Sequence, residues 1–127
     1  MQDPSTFLYR LVCSFCTAEG AFATGSLPNR DNNPGDLRLA PWVQHPHIEG
    51  GFWRPNSIEE GIAGVYHQLA LDIARGWSLR QVVNTYAPPS ENNSAVYLVE
   101  TARRMGMDPA KDLDVPLWTF MSIAKIA

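Results

Sequence analysis

The sequence predicts one mainly α-helical domain with an irregular insert. Five segments carry apolar residues at helical spacing, and prolines and glycines separate them. Between the first and second of these segments, residues 24–55 are rich in Pro, Gly, Asn and Asp, a composition typical of loops. With 127 residues, 45% of them hydrophobic and 18% charged, the chain is expected to fold as a single domain spanning residues 1–127.

The first helix is predicted over residues 4–18. Pro4 suits the first turn of a helix, where its missing N–H group is not needed. Gly20 follows the pattern as a C-terminal stop. One side of this helix carries the apolar residues Leu8, Leu11, Val12 and Phe15.

The insert is predicted to contain one turn and a short hairpin. Pro34 and Gly35 occupy the positions that a type II turn favours. Residues 37–42 and 51–53 could then pair as two short strands.

Four further helices are predicted after the insert. Ser57 and Glu60 form a capping box that opens the second helix, and Ser78 and Gln81 repeat the signal for the third. The second helix is expected to bury a continuous apolar face and to end near Gly76. That face comprises Ile58, Ile62, Val65, Leu69 and Ile73.

The third helix is expected to bury Leu79, Val82, Val83 and Tyr86 and to end before Pro88. The fourth is predicted from about Asn93 to Gly106, and a last one opens around Pro116. The fourth packs Leu98, Ala102 and Met105, and the last packs Leu117, Phe120, Ala124 and Ile123.

Charge and hydropathy restrict the partners. The formal net charge is −3, and no basic stripe is present, which argues against nucleic acid or an anionic membrane surface. No apolar run reaches the roughly 18 residues needed to span a bilayer. No basic region precedes the apolar residues 7–18 and no cleavage site follows them, so we expect no signal peptide and a protein that is cytoplasmic as made. A monomer is also expected.

Neither a cofactor nor a metal is expected. Cys13 and Cys16 form a CxxC within the first helix, where two reduced, helix-packed thiols are favoured over a redox or zinc site. His45, His47 and Glu49 alternate on a short segment among prolines, and solvent exposure is favoured over metal binding there.

Glu19 is the principal candidate for a functional residue. At about 100° per residue, it projects onto the apolar stripe of the first helix, between Val12 and Phe15. Burial there, together with the negative end of the helix dipole, should raise the pKa of this carboxyl group. A general acid needs that property. The alternatives are an outward-turned side chain or an ion pair with an arginine such as Arg30 or Arg38.

Several motifs together resemble the lysozyme-like domains of bacteriophage and bacterial proteins, which include lysozymes and lytic transglycosylases. The motifs are AEGAF at residues 18–22, GSLP at 25–28, NNPGDL at 32–37, SIEEGI at 57–62 and YAPPSEN at 86–92. The resemblance covers most of the chain. It implies the lysozyme-like fold, with a glycan cleft between a helical lobe and a smaller looped or hairpin lobe.

The resemblance also implies an activity. Glu19 matches the glutamate that protonates the glycosidic oxygen between N-acetylmuramic acid and N-acetylglucosamine in peptidoglycan. The protein would then act at the cell wall if it is exported or delivered by a phage. Gly20 stands where transglycosylases usually have serine, and no Gly-Leu-Met-Gln segment follows. The alternative is therefore a non-catalytic, glycan-binding or structural module of a virion or secretion machine.

A second carboxylate and the residues that bind sugar are less clearly marked. Asp31 and Asp36 are the candidates for the carboxylate, and Asp36 is preferred because it follows the turn; its alternative role is hydrogen bonding within that turn. Substrate binding is expected of five residues, with core packing and helix capping as the alternatives for Tyr86 and Asn92. The five are Ser26, Asn33, Tyr86, Glu91 and Asn92.

Overall fold

A computed structural model describes residues 3–19, 48–49, 52–53, 55, 57–86 and 93–121. Within these ranges the chain is mainly helical, as predicted, and a two-stranded antiparallel sheet lies between the first two helices. The elements are α1 (Pro4–Ala18), β1 (Ile48–Glu49), β2 (Phe52–Trp53), α2 (Ile58–Ala74), α3 (Leu79–Tyr86), α4 (Ser94–Arg104) and a 3₁₀ helix (Leu117–Phe120).

Helix α1 has the predicted bounds, and local sequence explains its start; Gly20, the predicted stop, lies outside the described residues. The Asp3 carboxylate accepts hydrogen bonds from the backbone N–H groups of Ser5, at 3.1 Å, and Thr6, at 3.3 Å. These bonds satisfy donors that have no partner inside the helix. The helix ends at Ala18, and Glu19 is its C-terminal cap. The buried residues are Phe7, Leu11, Val12, Ser14, Phe15 and Cys16.

The described part of the insert contains a short antiparallel hairpin. Phe52–Trp53 pairs with Ile48–Glu49, with Ile48 opposite Trp53 and Glu49 opposite Phe52. Residues 37–42, predicted as the partner, lie outside the described residues, as do the turn at Pro34 and the two histidines of the segment before Glu49. Among the residues that are described, no cluster of His, Cys, Asp or Glu could hold a metal ion.

Helix α2 buries the predicted face only in part: Val65, Leu69 and Ile73 contribute to the core, whereas Ile58 and Ile62 do not. Its N-terminal cap is the expected one, with the Glu60 N–H group donating to the Ser57 hydroxyl at 3.2 Å. Val65 and Leu69 are fully buried, but Ile58 and Ile62 are each 39% exposed. The other buried residues of α2 are Gly61, Gly64 and Asp72. The prediction of a core role for Ile58 and Ile62 was therefore wrong, because the helix turns its glycines inward at this end.

The second capping box is confirmed in full. The Gln81 N–H group donates to the Ser78 hydroxyl at 3.3 Å, and the Ser78 N–H group donates to the Gln81 side chain at 2.8 Å. Gly76 precedes this box with φ of 79°, a left-handed conformation that suits glycine at the end of α2. The start of α3 is thus determined by residues close to it in the chain.

Helix α4 also begins and ends where its sequence indicates. The Asn93 side chain accepts from the Val96 N–H group at 3.3 Å, and Gly106 follows the helix with φ of 70°. The last predicted helix is shorter than expected. It is a 3₁₀ helix that ends at Phe120, because Met121 has extended backbone angles, φ −97° and ψ 132°. Ile123 and Ala124 lie outside the described residues.

One hydrophobic core joins the helices. Helix α1 packs against α2 and α4, α3 packs against α4, and the 3₁₀ helix packs against α2. Phe15 of α1 and Leu69 of α2 are fully buried, and so are Leu79 of α3 and Leu117 of the 3₁₀ helix. No helix in the described part of the chain is long and apolar enough to cross a membrane.

The capping box at Ser78 provides a test of the fold. Ser78→Ala should lower the free energy of unfolding by about 1 kcal/mol, because it removes the acceptor for an N–H group at the start of α3. Urea denaturation measures the change. The matched control is Asn84→Ala on the exposed side of the same helix, which should change stability by less than about 0.5 kcal/mol. Equal effects of the two substitutions would contradict the assigned cap.

Candidate functional site

Glu19 lies at the C-terminal end of α1, where the helix meets α4. Its backbone N–H group donates to the Phe15 carbonyl at 3.0 Å, so the residue is still held by the last turn of the helix. Glu19 is half-buried. This position places a carboxylate near the negative end of the helix dipole, which disfavours its charged form. A donor is needed to offset that effect.

Tyr97 supplies such a donor. Its hydroxyl group donates to Oε1 of Glu19 at 3.0 Å, across a sequence separation of 78 positions. A hydrogen bond of this kind stabilises the carboxylate and opposes the effects of burial and of the helix dipole. The bond also joins the end of α1 to the first turn of α4. It thereby fixes the direction in which the Glu19 side chain points.

Three aromatic rings surround the base of this site. The Phe15 ring lies 4.6 Å from the Tyr86 ring and 5.7 Å from the Tyr97 ring, measured between centroids, and both pairs are tilted by about 50°. Tilted contacts at such distances are favourable arrangements for aromatic rings. Residues from α1, α3 and α4 therefore form one rigid aromatic cluster beneath Glu19.

Both tyrosines of the cluster remain protonated. Burial, together with the charge of Glu19, raises the pKa of Tyr97 far above its usual value. Burial also raises the pKa of Tyr86, and the charges of Asp72, Cys16 and Glu19 add to the effect. The Tyr97 phenol thus stays a hydrogen-bond donor at every working pH. The Tyr86 hydroxyl is buried and has no hydrogen-bond partner among the described residues.

The structure brings two of the predicted site residues together. Glu19 and Tyr86 both lie at the aromatic cluster, and Tyr86 packs against the hydrophobic core. Its assigned role in binding substrate stays a prediction. The other predicted site residues lie outside the described ranges, so their roles also stay predictions. They are Ser26, Asp31, Asn33, Asp36, Glu91 and Asn92.

Sequence reasoning missed Tyr97 and Asp72. Tyr97 lies next to the predicted core residue Leu98, and its spacing alone gave no signal of a partner in α1. Asp72 is 1% exposed, and burial raises its pKa. Its Oδ1 accepts hydrogen bonds from Gln68, at 3.1 Å, and Arg75, at 3.3 Å. Because its carboxylate is enclosed and already bonded, Asp72 is suited to holding α2 in place and is not accessible to a substrate.

An open groove lies beside Tyr97, between the end of α1 and the length of α4, and Glu19 itself is not one of its lining residues. It has a volume of about 320 Å³, and Tyr97 forms part of its wall. Its other lining residues are Thr17, Ala18, Asn93, Val96, Glu100 and Arg104. The hydroxyl, amide and carboxylate groups among them could bond to a polar ligand such as a sugar.

The two cysteines are free thiols in different surroundings. Cys13 is half-buried, whereas Cys16 is buried in the core. Burial, with the charges of Cys13 and Glu19 adding to it, raises the pKa of the Cys16 thiol to about 12. The thiolate form of Cys16 is therefore scarce at neutral pH, and this residue is unsuited to redox or metal chemistry.

Comparisons with known proteins leave the family open. No model of a protein family matches the chain, and neither a curated protein nor a solved structure matches it significantly. A function can therefore be inferred only from the sequence motifs and the geometry of the site.

The two thiols should differ in reactivity. At about pH 8, a disulfide reagent such as DTNB should modify Cys13 at least about tenfold faster than Cys16, because thiolate is the reactive form. The measurement uses Cys16→Ser, which leaves Cys13, and Cys13→Ser, which leaves Cys16. Both variants should react rapidly in denaturant. Similar rates for the two folded variants would contradict the assigned burial of Cys16.

The Tyr97 bond can be tested without any assay of activity. In Tyr97→Phe, the acid–base midpoint of the Glu19 carboxyl should move to higher pH, because a donor that stabilises the charged form is lost. Carbon-13 NMR titration of the labelled side chain follows that midpoint. Tyr9→Phe, at a 59% exposed position of α1, is the control and should leave it unchanged. An unchanged midpoint in Tyr97→Phe would show that the hydrogen bond does not affect Glu19.

Proposed function

We propose that the protein is a peptidoglycan-cleaving glycosidase in which Glu19 is the general acid. The observation that carries the proposal is the half-buried Glu19 carboxylate, held at the end of α1 by the hydroxyl group of Tyr97, which itself lines an open groove. The motifs at residues 18–22 and 32–37 support it, since they resemble those of lysozyme-like domains.

In this proposal Glu19 donates its proton to the oxygen of the β-1,4 bond between N-acetylmuramic acid and N-acetylglucosamine. The bond from the anomeric carbon to that oxygen then breaks, and positive charge develops on the sugar ring. Tyr97 is a positioning residue, because it acts through Glu19. Once the proton has left, its hydroxyl stabilises the carboxylate that remains.

The second half of the reaction decides between hydrolysis and transglycosylation. Hydrolysis uses a second carboxylate, about 5 Å from the acid in retaining enzymes and about 6.5–9.5 Å in inverting ones. Asp36 is the proposed residue for that role, and Asp31 is the alternative. A transglycosylase manages with one acid, because the N-acetyl group of the substrate assists. Mass spectrometry of the products separates the two reactions, since only transglycosylation leaves a 1,6-anhydro ring.

A non-catalytic module that binds glycan, or serves as part of a virion or secretion machine, is the second candidate function. Gly20 in place of the usual serine and the absence of a Gly-Leu-Met-Gln segment favour it. The Tyr97 hydrogen bond suits this role as well, because a carboxylate held in a fixed direction is a good acceptor for sugar hydroxyl groups.

Glu19→Gln tests the catalytic proposal directly. The amide keeps the shape of the side chain but has no acidic proton, so the release of soluble fragments from peptidoglycan should fall at least about 100-fold. Glu59→Gln is the matched control on the exposed face of α2 and should retain full activity.

The outcomes separate the two functions. Wild-type protein that releases fragments, with Glu19→Gln inactive, supports the glycosidase. Equal release by both shows that Glu19 is not the acid. Sedimentation of the wild-type protein with peptidoglycan, without release of any fragment, supports the binding module.

A further inference from the structure

A second depression, of about 230 Å³, lies between α1 and α4 beyond the groove at Tyr97. The two depressions share Thr17 and Arg104. The second one is lined by Tyr9, Arg10, Cys13, Ser14, Thr17 and Arg104. Two of these residues carry guanidinium groups, and none of them carries a carboxylate. In a chain with a formal net charge of −3, such a lining concentrates positive charge locally.

The α1 side of the depression is a polar stripe. Arg10, Cys13, Ser14 and Thr17 recur at spacings of three and four residues, so they share one side of the helix. The apolar stripe at Leu11 and Phe15 lies on another side and belongs to the core. The polar stripe therefore lies apart from the hydrophobic side of α1, although Ser14 within it is buried.

The two arginines are held at the rim in different ways. Nη2 of Arg10 donates to the backbone carbonyl oxygen of Arg104 at 2.9 Å. That bond uses one of the five N–H groups of a guanidinium and fixes its position. Arg104 lies 3.7 Å from the Glu100 carboxylate, a loose pair between exposed side chains. Both guanidinium groups can accordingly turn further donors toward the depression.

Ser14 adds a hydroxyl group that has no hydrogen-bond partner in the described part of the chain. The residue is 4% exposed, and its Oγ atom is buried without a hydrogen bond among the described residues. Buried hydroxyl groups in folded proteins are generally bonded. Ser14 lines the depression, and a small rotation of its side chain would bring the hydroxyl group within reach of a ligand oxygen there.

We propose that the depression formed by Arg10, Ser14 and Arg104 binds an oxyanion, which is a carboxylate or phosphate group of a ligand. Guanidinium groups recognise both anions through paired, charge-assisted hydrogen bonds. The Ser14 hydroxyl contributes a further donor from the floor of the site. This proposal does not depend on whether Glu19 cleaves a glycan.

The test is an NMR titration of the full chain with three separate probes. They are inorganic phosphate, N-acetylmuramic acid and N-acetylglucosamine; the last lacks the lactyl carboxylate of the second. Phosphate, N-acetylmuramic acid or both should produce saturable shifts of the backbone amides of residues 10–17 and 104, whereas N-acetylglucosamine should not. The stronger of the two anions identifies the natural group.

Two substitutions and one control assign the shifts to the site. Arg104→Ala and Ser14→Ala should each weaken binding, the first at least tenfold, while circular dichroism shows that the fold is kept. Arg103→Ala, an exposed neighbour outside the lining, should leave binding unchanged. The proposal is overturned if no anion gives saturable shifts there, if N-acetylglucosamine binds as well as the anions, or if Arg103→Ala weakens binding as much as Arg104→Ala.

Discussion

The hydrogen bond between the Tyr97 hydroxyl and the Glu19 carboxylate is the interaction on which the candidate site depends. A carboxylate at the C-terminal end of a helix, next to buried aromatic rings, is unfavourable without a donor. Tyr97 provides one and at the same time places its ring against Phe15. Packing and hydrogen bonding thus fix the same pair of helices, so a change at Tyr97 affects both the position and the charge of Glu19.

Two other buried polar groups, those of Asp72 and Tyr86, differ in how fully hydrogen bonds offset the cost of their burial. Asp72 is enclosed, and it is bonded by Gln68 and Arg75 from its own helix and the cap that follows. Its carboxylate therefore stabilises the end of α2. The Tyr86 hydroxyl is enclosed without a partner among the described residues, close enough for the charges of Asp72 and Glu19 to raise its pKa. Of these two enclosed groups, the Tyr86 hydroxyl is therefore the less fully compensated, and its ring belongs to the aromatic cluster at the end of α1.

Features determined by nearby residues could be predicted from the sequence, and those that depend on distant contacts could not. The starts of α1, α2, α3 and α4 follow from caps within a few residues, such as Ser78 with Gln81. The predicted burial of Ile58 and Ile62 in α2 was wrong. Periodicity gives the spacing of an apolar stripe but not the side on which a neighbouring helix packs. The partner of Glu19 was missed for the same reason, since Tyr97 is 78 positions away and no local pattern connects the two.

The Tyr97 bond also constrains how the proposed chemistry could work. A general acid must hold a proton when the substrate arrives, yet a donated hydrogen bond favours the charged carboxylate. Burial and the helix dipole act in the opposite direction, so the resting state of Glu19 depends on a balance between them. A bound glycan would exclude water from the carboxylate and shift that balance toward the protonated form. A glycosidase built on this geometry would therefore need substrate binding to protonate its acid, whereas a binding module would keep Glu19 charged throughout.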